Sequence, residues 1–477
     1  MVTQIKKGVV MKNIDSNTFK SLINNASIAL MGIPVKESIN YMPYGLKIRN
    51  LLYVKAMELL NNGGYQKVML SDFINPDSLT EIDKVSKVSS GYMRVENKNL
   101  MIAAGHEVNA YLFIKELIKH GYQNFDLPVK IYNFGPVYRT NKNTKYPFNL
   151  GERKSFLECY SVFKTEQEAE NELEFAINWN RNVIRKLLHI PSVEVVRPRS
   201  TNKKISKRTI CIDSITPLNE TVITGMTYFH DDIFTKSVNL RYKDQIENRN
   251  KIAYSVHFGL SENILFSYLL NSCDGKNLRL YSFIAPIQVN ILNALNDDVY
   301  DSTIDNLNNI LKENNLRYNT EKIIRKKITS KIENNTIQGV PVTILLKKEG
   351  NNIEIYSICN GIQKLVVTTN DINNCLEKVL NTIITLLDKN DKKIIKDMTL
   401  REKESIVECD DLEKLDEVVK NGKIAKVHLK NTDESVHIVE SHLTGGEVLG
   451  FGLNKENGYD IVTQETVDTI AFVSRRS

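Results

Sequence analysis

The chain has no run of 18 or more apolar residues, so no helical membrane span is expected in its 477 residues. Its opening segment, MVTQIKKGVVMKNIDSN, lacks the apolar stretch of a secretory signal. A cytoplasmic protein is the simplest expectation. Six cysteines, at 159, 211, 273, 359, 375 and 409, include no C-x-x-C pair. Neither a zinc site nor a disulfide framework is expected, and these thiols read as buried or inert. A large excess of either charge is also lacking, with 63 Lys and Arg against 57 Asp and Glu. A net +6 permits contact with nucleic acid without arguing for it. Internal repeats are absent as well. What is present, 42% hydrophobic and 25% charged residues, is the composition of a globular protein with ample core, and the length implies two or three domains.

Apolar spacing over 45–62 is helical and stops at Gly63-Gly64, and YQKVMLSDFINP then reads as a strand running into a turn. A second helix is expected over 106–120, ended by Gly121, followed by strands 129–139 and 156–163. The helix after Thr165 carries acids early and bases late, an order that suits the helix dipole. Strands are expected over 208–213, 221–227, 237–242 and 252–258, then a helix over 261–272. Strands in series with helices at the ends, without strand–helix alternation, indicate an antiparallel α+β domain. From about Ala285 the pattern turns to α/β: strand 286–293, helix 301–314, strands 339–346 and 352–358, and helix 371–388. DKNDKKIIKD at 388–397 reads as a charged linker, and the remainder as a third small domain.

The most informative stretch runs from Leu127 to Leu173. It has the layout of an ATP-handling hairpin, with an apolar strand ending in Arg139, a polar loop, and a second strand ending in Glu158. MPYGLKIRNLLYVKAMELLNNGGYQKVMLSDFINP, with Pro43, resembles the first motif of prolyl-tRNA synthetases of the archaeal and eukaryal type, a class II family. LPVKIYNFGPVYR with Pro147-Phe148 resembles the second. FTKSVNLRYKD, SVHFGLSENILFSYLLNSCDGKNLRL and FIAPIQVNIL follow in the family's order. QGVPVTILLKKEGNNIEIYSICNGIQK is similar to its GVP strand and later Lys-ended turn, with Lys364 in the lysine position.

The resemblance covers nearly the whole chain. It implies an α+β class II aminoacyl-tRNA synthetase fold in three parts: a catalytic-like domain over 1–282, an anticodon-binding-like α/β domain over 283–390, and a small C-terminal α+β domain over 391–477. It also implies a homodimer built through the first motif. The reaction implied is attack of proline on the α-phosphate of ATP, then transfer of the prolyl group to tRNA. Such chemistry relies on arginines and Mg²⁺ to position and neutralise phosphate.

Carried over residue by residue, the site is altered. Arg139 corresponds to the arginine that bridges the α-phosphate and the amino-acid carboxylate, a task suited to its planar fork. Asn141 replaces a glutamate that reads adenine. The loop arginine falls at Leu150, and nearby Arg153 can take its place only with a shift in register. Ser261 is kept in the third motif, but Asn263 replaces the arginine that stacks on adenine. That loss costs about 3 kcal/mol or more of transition-state stabilisation, by analogy with an oxyanion donor. Glu262 beside it is expected to repel a triphosphate. The Gly-Thr-Ser-His segment reads from Gly225 as GMTYFHDDIF, where Asp231 and Asp232 replace neutral amides and can ligate Mg²⁺.

In the amino-acid pocket, the Thr-x-Glu loop reads Gly105-His106-Glu107, and Glu158 is followed by Cys159-Tyr160 in place of Gly-His. Glu107 and Glu158 can together hold an ammonium group, and His106 can titrate near neutral pH. The subtype's zinc cysteines are missing save Cys409, and the chain ends SRRS where the family has a tyrosine. The resulting expectation is a catalytically degenerate paralogue, a binding, regulatory or accessory protein with an amino-acid ligand and with tRNA as a further partner. The alternative is surviving ATP- and Mg²⁺-dependent amino-acid activation, with transfer to tRNA or another acceptor. No membrane partner and no resident metal are expected.

Overall fold

The computed structural model describes residues 14–36, 38–86, 88–121, 126–140, 151–200, 204–295 and 298–476. Two compact units share the chain. One takes residues 1–30, 40–55 and 269–401, and the other 31–39, 56–268 and 402–477.

The second of these is organised by one sheet of eleven strands: β1 (Gln66–Val68), β2 (Val129–Tyr138), β3 (Glu152–Phe163), β4 (Ser192–Val196), β5 (Arg208–Ile215), β6 (Thr221–Asp231), β7 (Tyr254–Leu260), β8 (Ile406–Glu408), β9 (Ile424–His428), β10 (Glu447–Gly452) and β11 (Ile470–Ser474). Their spatial order is β8-β9-β11-β10-β4-β5-β6-β7-β3-β2-β1. Only the two outermost pairs, β8–β9 and β1–β2, are parallel. The C-terminal strands join the sheet where Phe451 and Gly452 of β10 pair with Val196 and Val195 of β4.

Strand alternation decides which side chains reach which face. In β7, Phe258 points to one face, where the indole of Trp179 meets it edge-on at 5.3 Å, while His257 and Gly259 point to the other. Trp179 belongs to α2 (Glu166–Arg181), which follows α1 (Glu107–His120). Thr165 and Glu168 close a capping box at the start of α2, and the acid-first, base-last order stands as expected. The buried residues of α1 include Val108, Tyr111, Ile114 and Leu117, a helical stripe that packs over Ile131, Tyr160 and Val162. Gly121, at φ +61°, ends it with a left-handed cap.

The other unit holds a five-stranded sheet in the order 318–322, 289–294, 342–349, 352–359, 362–369. The first three strands are parallel and the last two antiparallel, an α/β arrangement as expected. Four local readings are corrected. Residues 388–397 are no linker but part of one helix, Leu376–Ser405, because Leu387, Asn390, Ile394 and Met398 keep a buried face at helical spacing. The expected strand 237–242 begins in the short helix Ile233–Ser237 and reaches a hairpin strand only at Arg241–Asp244. Lys364 sits within the strand Ile362–Thr369, opposite Ser357, and not in a turn. The strand expected from 156 starts at Glu152, which brings Arg153 into the sheet.

Candidate active site

On the α1 side of the sheet lies a cavity of about 520 Å³, within the usual range for a small-molecule site. Gly105, Glu107, Arg139, Arg153, Glu158, Gly225, Ser261 and Asn263 all line it. Of the other expected site residues, His106 and Tyr160 lie beneath it, and Asn141, with Leu150 and Pro147-Phe148, falls outside the described residues.

Arg139 follows β2. Its Nε donates to the Ala104 carbonyl at 2.8 Å, and its guanidinium lies 5.0 Å from the Phe156 ring centre. Arg153 reaches the same wall through a slip in the β2–β3 pairing. Gly135 faces Phe156 but Val137 faces Arg153, a one-residue change at Pro136, which has no N–H to donate. Burial, then the neighbouring Arg139, push the Arg153 guanidinium down to about 9, against the pull of Glu262. It remains a cation at neutral pH.

Glu262 does not act as expected. It is buried and turned into the wall, where its carboxylate accepts from the Lys154 N–H at 3.1 Å and the Ser155 hydroxyl at 3.1 Å. Its charge supports Arg153 and is not presented to a ligand. Asn263 opens α3 (Asn263–Ser272), and its side-chain amide donates to the Ile223 carbonyl at 2.9 Å. Asp231 and Asp232 are likewise spent elsewhere. They pair with Lys207 at 3.0 Å and Lys236 at 2.5 Å, and neither lines the cavity.

Both acids expected to hold an ammonium group arrive with histidines. His106 is buried between Glu158 Oε2 (2.8 Å from Nδ1) and Asp72 Oδ1 (3.0 Å from Nε2). Burial alone would lower its pKa, but the Glu158 and Asp72 carboxylates bring it above the ordinary histidine value. Glu158 shows the converse, its burial outweighed by His106 so that the carboxyl sits low. Glu107 Oε1 lies 2.9 Å from Nε2 of His230 and 2.9 Å from Nδ1 of His257. Against burial, which would raise it, these rings hold the Glu107 carboxyl well below the usual range. Close approach explains two glycines here. A Cβ on Gly259 would meet the Leu157 carbonyl at 2.2 Å, and one on Gly105 would press on Glu158 Oε1 at 3.3 Å.

Tyr160, His257 and Tyr228 sit opposite one another on β3, β7 and β6 and form a row of rings with centroids 4.7 and 5.5 Å apart. The expected role of Tyr160 in contacting a ligand is therefore replaced by one of supporting His257. Sequence reasoning missed His230, His257, Tyr92 and Arg476. Tyr92 donates its hydroxyl to the Gly105 carbonyl at 3.0 Å and lines the cavity. Arg476 also lines it and lies 2.8 Å from Glu447. His230 and His257 fall inside the GMTYFHDDIF and SVHFGLSEN segments at positions to which the resemblance assigns no role, and Tyr92 and Arg476 fall outside any such segment. Strand register and the return of the chain after β11 bring them in, and only the paired strands TYFH and SVHF carried a hint.

A six-stranded antiparallel core, β4 to β7 with β3 and β2, carrying an arginine-bearing hairpin and a cavity on one face, defines the class: this is the fold of a class II aminoacyl-tRNA synthetase. No family model matches the chain. Curated relatives are proline–tRNA ligases. That of Methanococcus aeolicus is 25% identical over 82% of this chain and 91% of its own length, and that of Pyrobaculum islandicum 22% identical over 93% and 91%. The fold is shared with prolyl-tRNA synthetase of Giardia lamblia in complex with prolyl-adenylate, with TM-score 0.85, 16% identity, and 97% and 98% of the two chains covered. It is shared also with that of Cryptosporidium parvum complexed with halofuginone and AMPPNP, with TM-score 0.83, 15% identity, and 98% and 99% covered. The chain is a divergent relative of the prolyl-tRNA synthetases. Among the described residues no helix is long and apolar enough to cross a membrane.

Proposed function

We propose that this protein is a catalytically degenerate relative of prolyl-tRNA synthetase. In this reading it holds an amino acid or a similar small anion-bearing ligand in the cavity and serves as a binding, regulatory or accessory protein. The observation that carries this is Asn263. At the position where the family resemblance expects an arginine, the side chain is short, neutral and bonded to the Ile223 carbonyl. It offers no charge to a nucleotide. Arg139 remains to receive a carboxylate. The arrangement as a cytoplasmic homodimer, with anticodon-binding-like residues 283–390 and a C-terminal domain over 391–477, belongs to the same proposal.

One observation favours a second reading, ATP- and Mg²⁺-dependent activation of an amino acid. Arg153 stands in the cavity wall beside Arg139, so a second cation borders the same cavity. Pyrophosphate exchange with each of the twenty amino acids separates the two. Absence of exchange, together with an amino-acid-induced rise in melting temperature, supports the first. Exchange above background with any amino acid overturns it. Retention of tRNA in a low-salt gel shift tests the remaining partner.

A further inference from the structure

Glu107, His230 and His257 come together under the cavity floor, each offering a ligand atom within 4.8 Å of the others. All three are buried, His230 completely. Glu107 comes from the first turn of α1, His230 from β6 and His257 from β7.

The hydrogen bonding of His230 is the second observation. Its Nδ1 lies 2.8 Å from the Ile205 carbonyl, which can only accept, so the ring proton belongs on Nδ1. In the neutral ring Nε2 then presents a lone pair. This atom is buried and makes no hydrogen bond, although Glu107 Oε1 is 2.9 Å away. A lone pair aimed at a carboxylate oxygen is repulsive, and a cation between them, a proton or a metal ion, removes the repulsion. An imidazole whose far nitrogen is anchored by a backbone carbonyl is also the usual arrangement of a metal-bound histidine. His257 is held by the rings of Tyr160 and Tyr228.

We propose that Glu107, His230 and His257 form a three-ligand site for a divalent transition-metal ion of the zinc class, with its open position facing the cavity. Two imidazoles and a carboxylate suit zinc better than magnesium or calcium, which prefer oxygen ligands throughout. A tetrahedral ion with bonds of about 2.0–2.1 Å holds its ligand atoms roughly 3.3 Å apart. The two 2.9 Å separations therefore open by a few tenths of an ångström on binding. Glu107 and His257 both line the cavity, so the remaining donor comes from that side, as water or as the amine or carboxylate of a bound small molecule. Uptake of the ion requires neither amino acid nor nucleotide, so the site stands or falls apart from the proposed function.

The test uses the full chain, stripped with a chelator and titrated with Co²⁺ and then Zn²⁺. The expected result is one Co²⁺ per chain with a visible absorption band, displaced by Zn²⁺. In His230→Leu and His257→Gln, affinity should drop by more than roughly 100-fold, beyond what loss of an outer partner causes. X-ray absorption of the zinc-loaded wild type, which does not depend on the variants folding, should show two imidazoles and no sulfur. No uptake by the folded wild type, unchanged uptake by His257→Gln, or a sulfur shell would each overturn the site.

Discussion

Arg197 and Asp213 provide the sharpest test of how the sheet is held together. The guanidinium meets the carboxylate in a two-point pair, with 2.7 Å from Nη1 to Oδ2 and 2.8 Å from Nη2 to Oδ1, and it also donates to the Leu449 carbonyl. Asp213 is 0% exposed and Arg197 8%. The pair thus ties β5 to β10, at the place where the sheet passes to its C-terminal strands. Two unit charges about 4 Å apart attract by about 4 kcal/mol at an effective dielectric of about 20. The cost of taking both from water offsets much of that, so the intact pair adds little net stability. Removing one partner is different, because a buried charge is left alone at about 3–5 kcal/mol. Arg197→Met should therefore destabilise by about 4 kcal/mol, while Arg197→Met with Asp213→Leu should return to within about 1–2 kcal/mol of wild type. Urea unfolding read by fluorescence of Trp179 measures this cleanly, since it is the only tryptophan and lies buried in the same unit. A loss below about 1 kcal/mol in the single variant, or a double variant no more stable than the single, would refute the reasoning.

Arg139→Gln should weaken amino-acid binding by about 10- to 100-fold, the equivalent of a charge-assisted hydrogen bond of about 1.5–3 kcal/mol. Calorimetry showing unchanged affinity would remove Arg139 from the site. Burial raises the Glu447 carboxyl above its ordinary value, and Arg476 opposes that shift. A carboxyl raised in the folded state favours folding at low pH and loses that advantage as pH climbs through its folded pKa. Arg476→Ala removes the opposing cation, so its destabilisation should grow between pH 4.5 and pH 7, and equal losses at both pH values would contradict the pairing. Hydrogen exchange should find amides 388–397 protected as part of one helix, whereas rapid exchange throughout would restore the linker reading. Thr165→Ala should cost about 1 kcal/mol by opening the α2 capping box, measurable in the same urea experiment.

The elements legible in the sequence were those specified locally. Helix α1 announced itself through its apolar stripe and Gly121, and α2 through Thr165 and its charge order. The strands carrying Arg139 and Glu158 were visible from their apolar runs. The linker reading at 388–397 failed because seven charged residues in ten mask Ile394 and Ile395, while the buried positions remain in helical step with Leu387 and Met398. In the site, residues with an assigned role in the family-like motifs were found, and residues joined only by register were not. Tyr228 faces His257 and His257 faces Tyr160 only because β6, β7 and β3 pair as they do. The sign of the effect at Glu262 was misjudged for the same reason. Sequence places it beside Asn263, but only the fold shows Lys154 and Ser155 turning it inward.

The charges around the cavity are not equally available, and that bears on what can bind. Glu158 is bonded to His106, Glu107 to His257, and Arg476 is paired with Glu447. Arg153 has Glu262 behind it. Arg139 differs. Among the described residues its guanidinium bonds only to the Ala104 carbonyl, through Nε, and rests on the Phe156 ring. An incoming carboxylate thus meets a cation with donors to spare, while an incoming ammonium meets acids already engaged by histidines. Binding that ammonium must compete with the histidines already bonded to Glu158 and Glu107. Recognition should therefore begin at the acid end of an amino acid. Its amino end is accommodated best as a neutral amine, the form that a metal held by Glu107, His230 and His257 would accept.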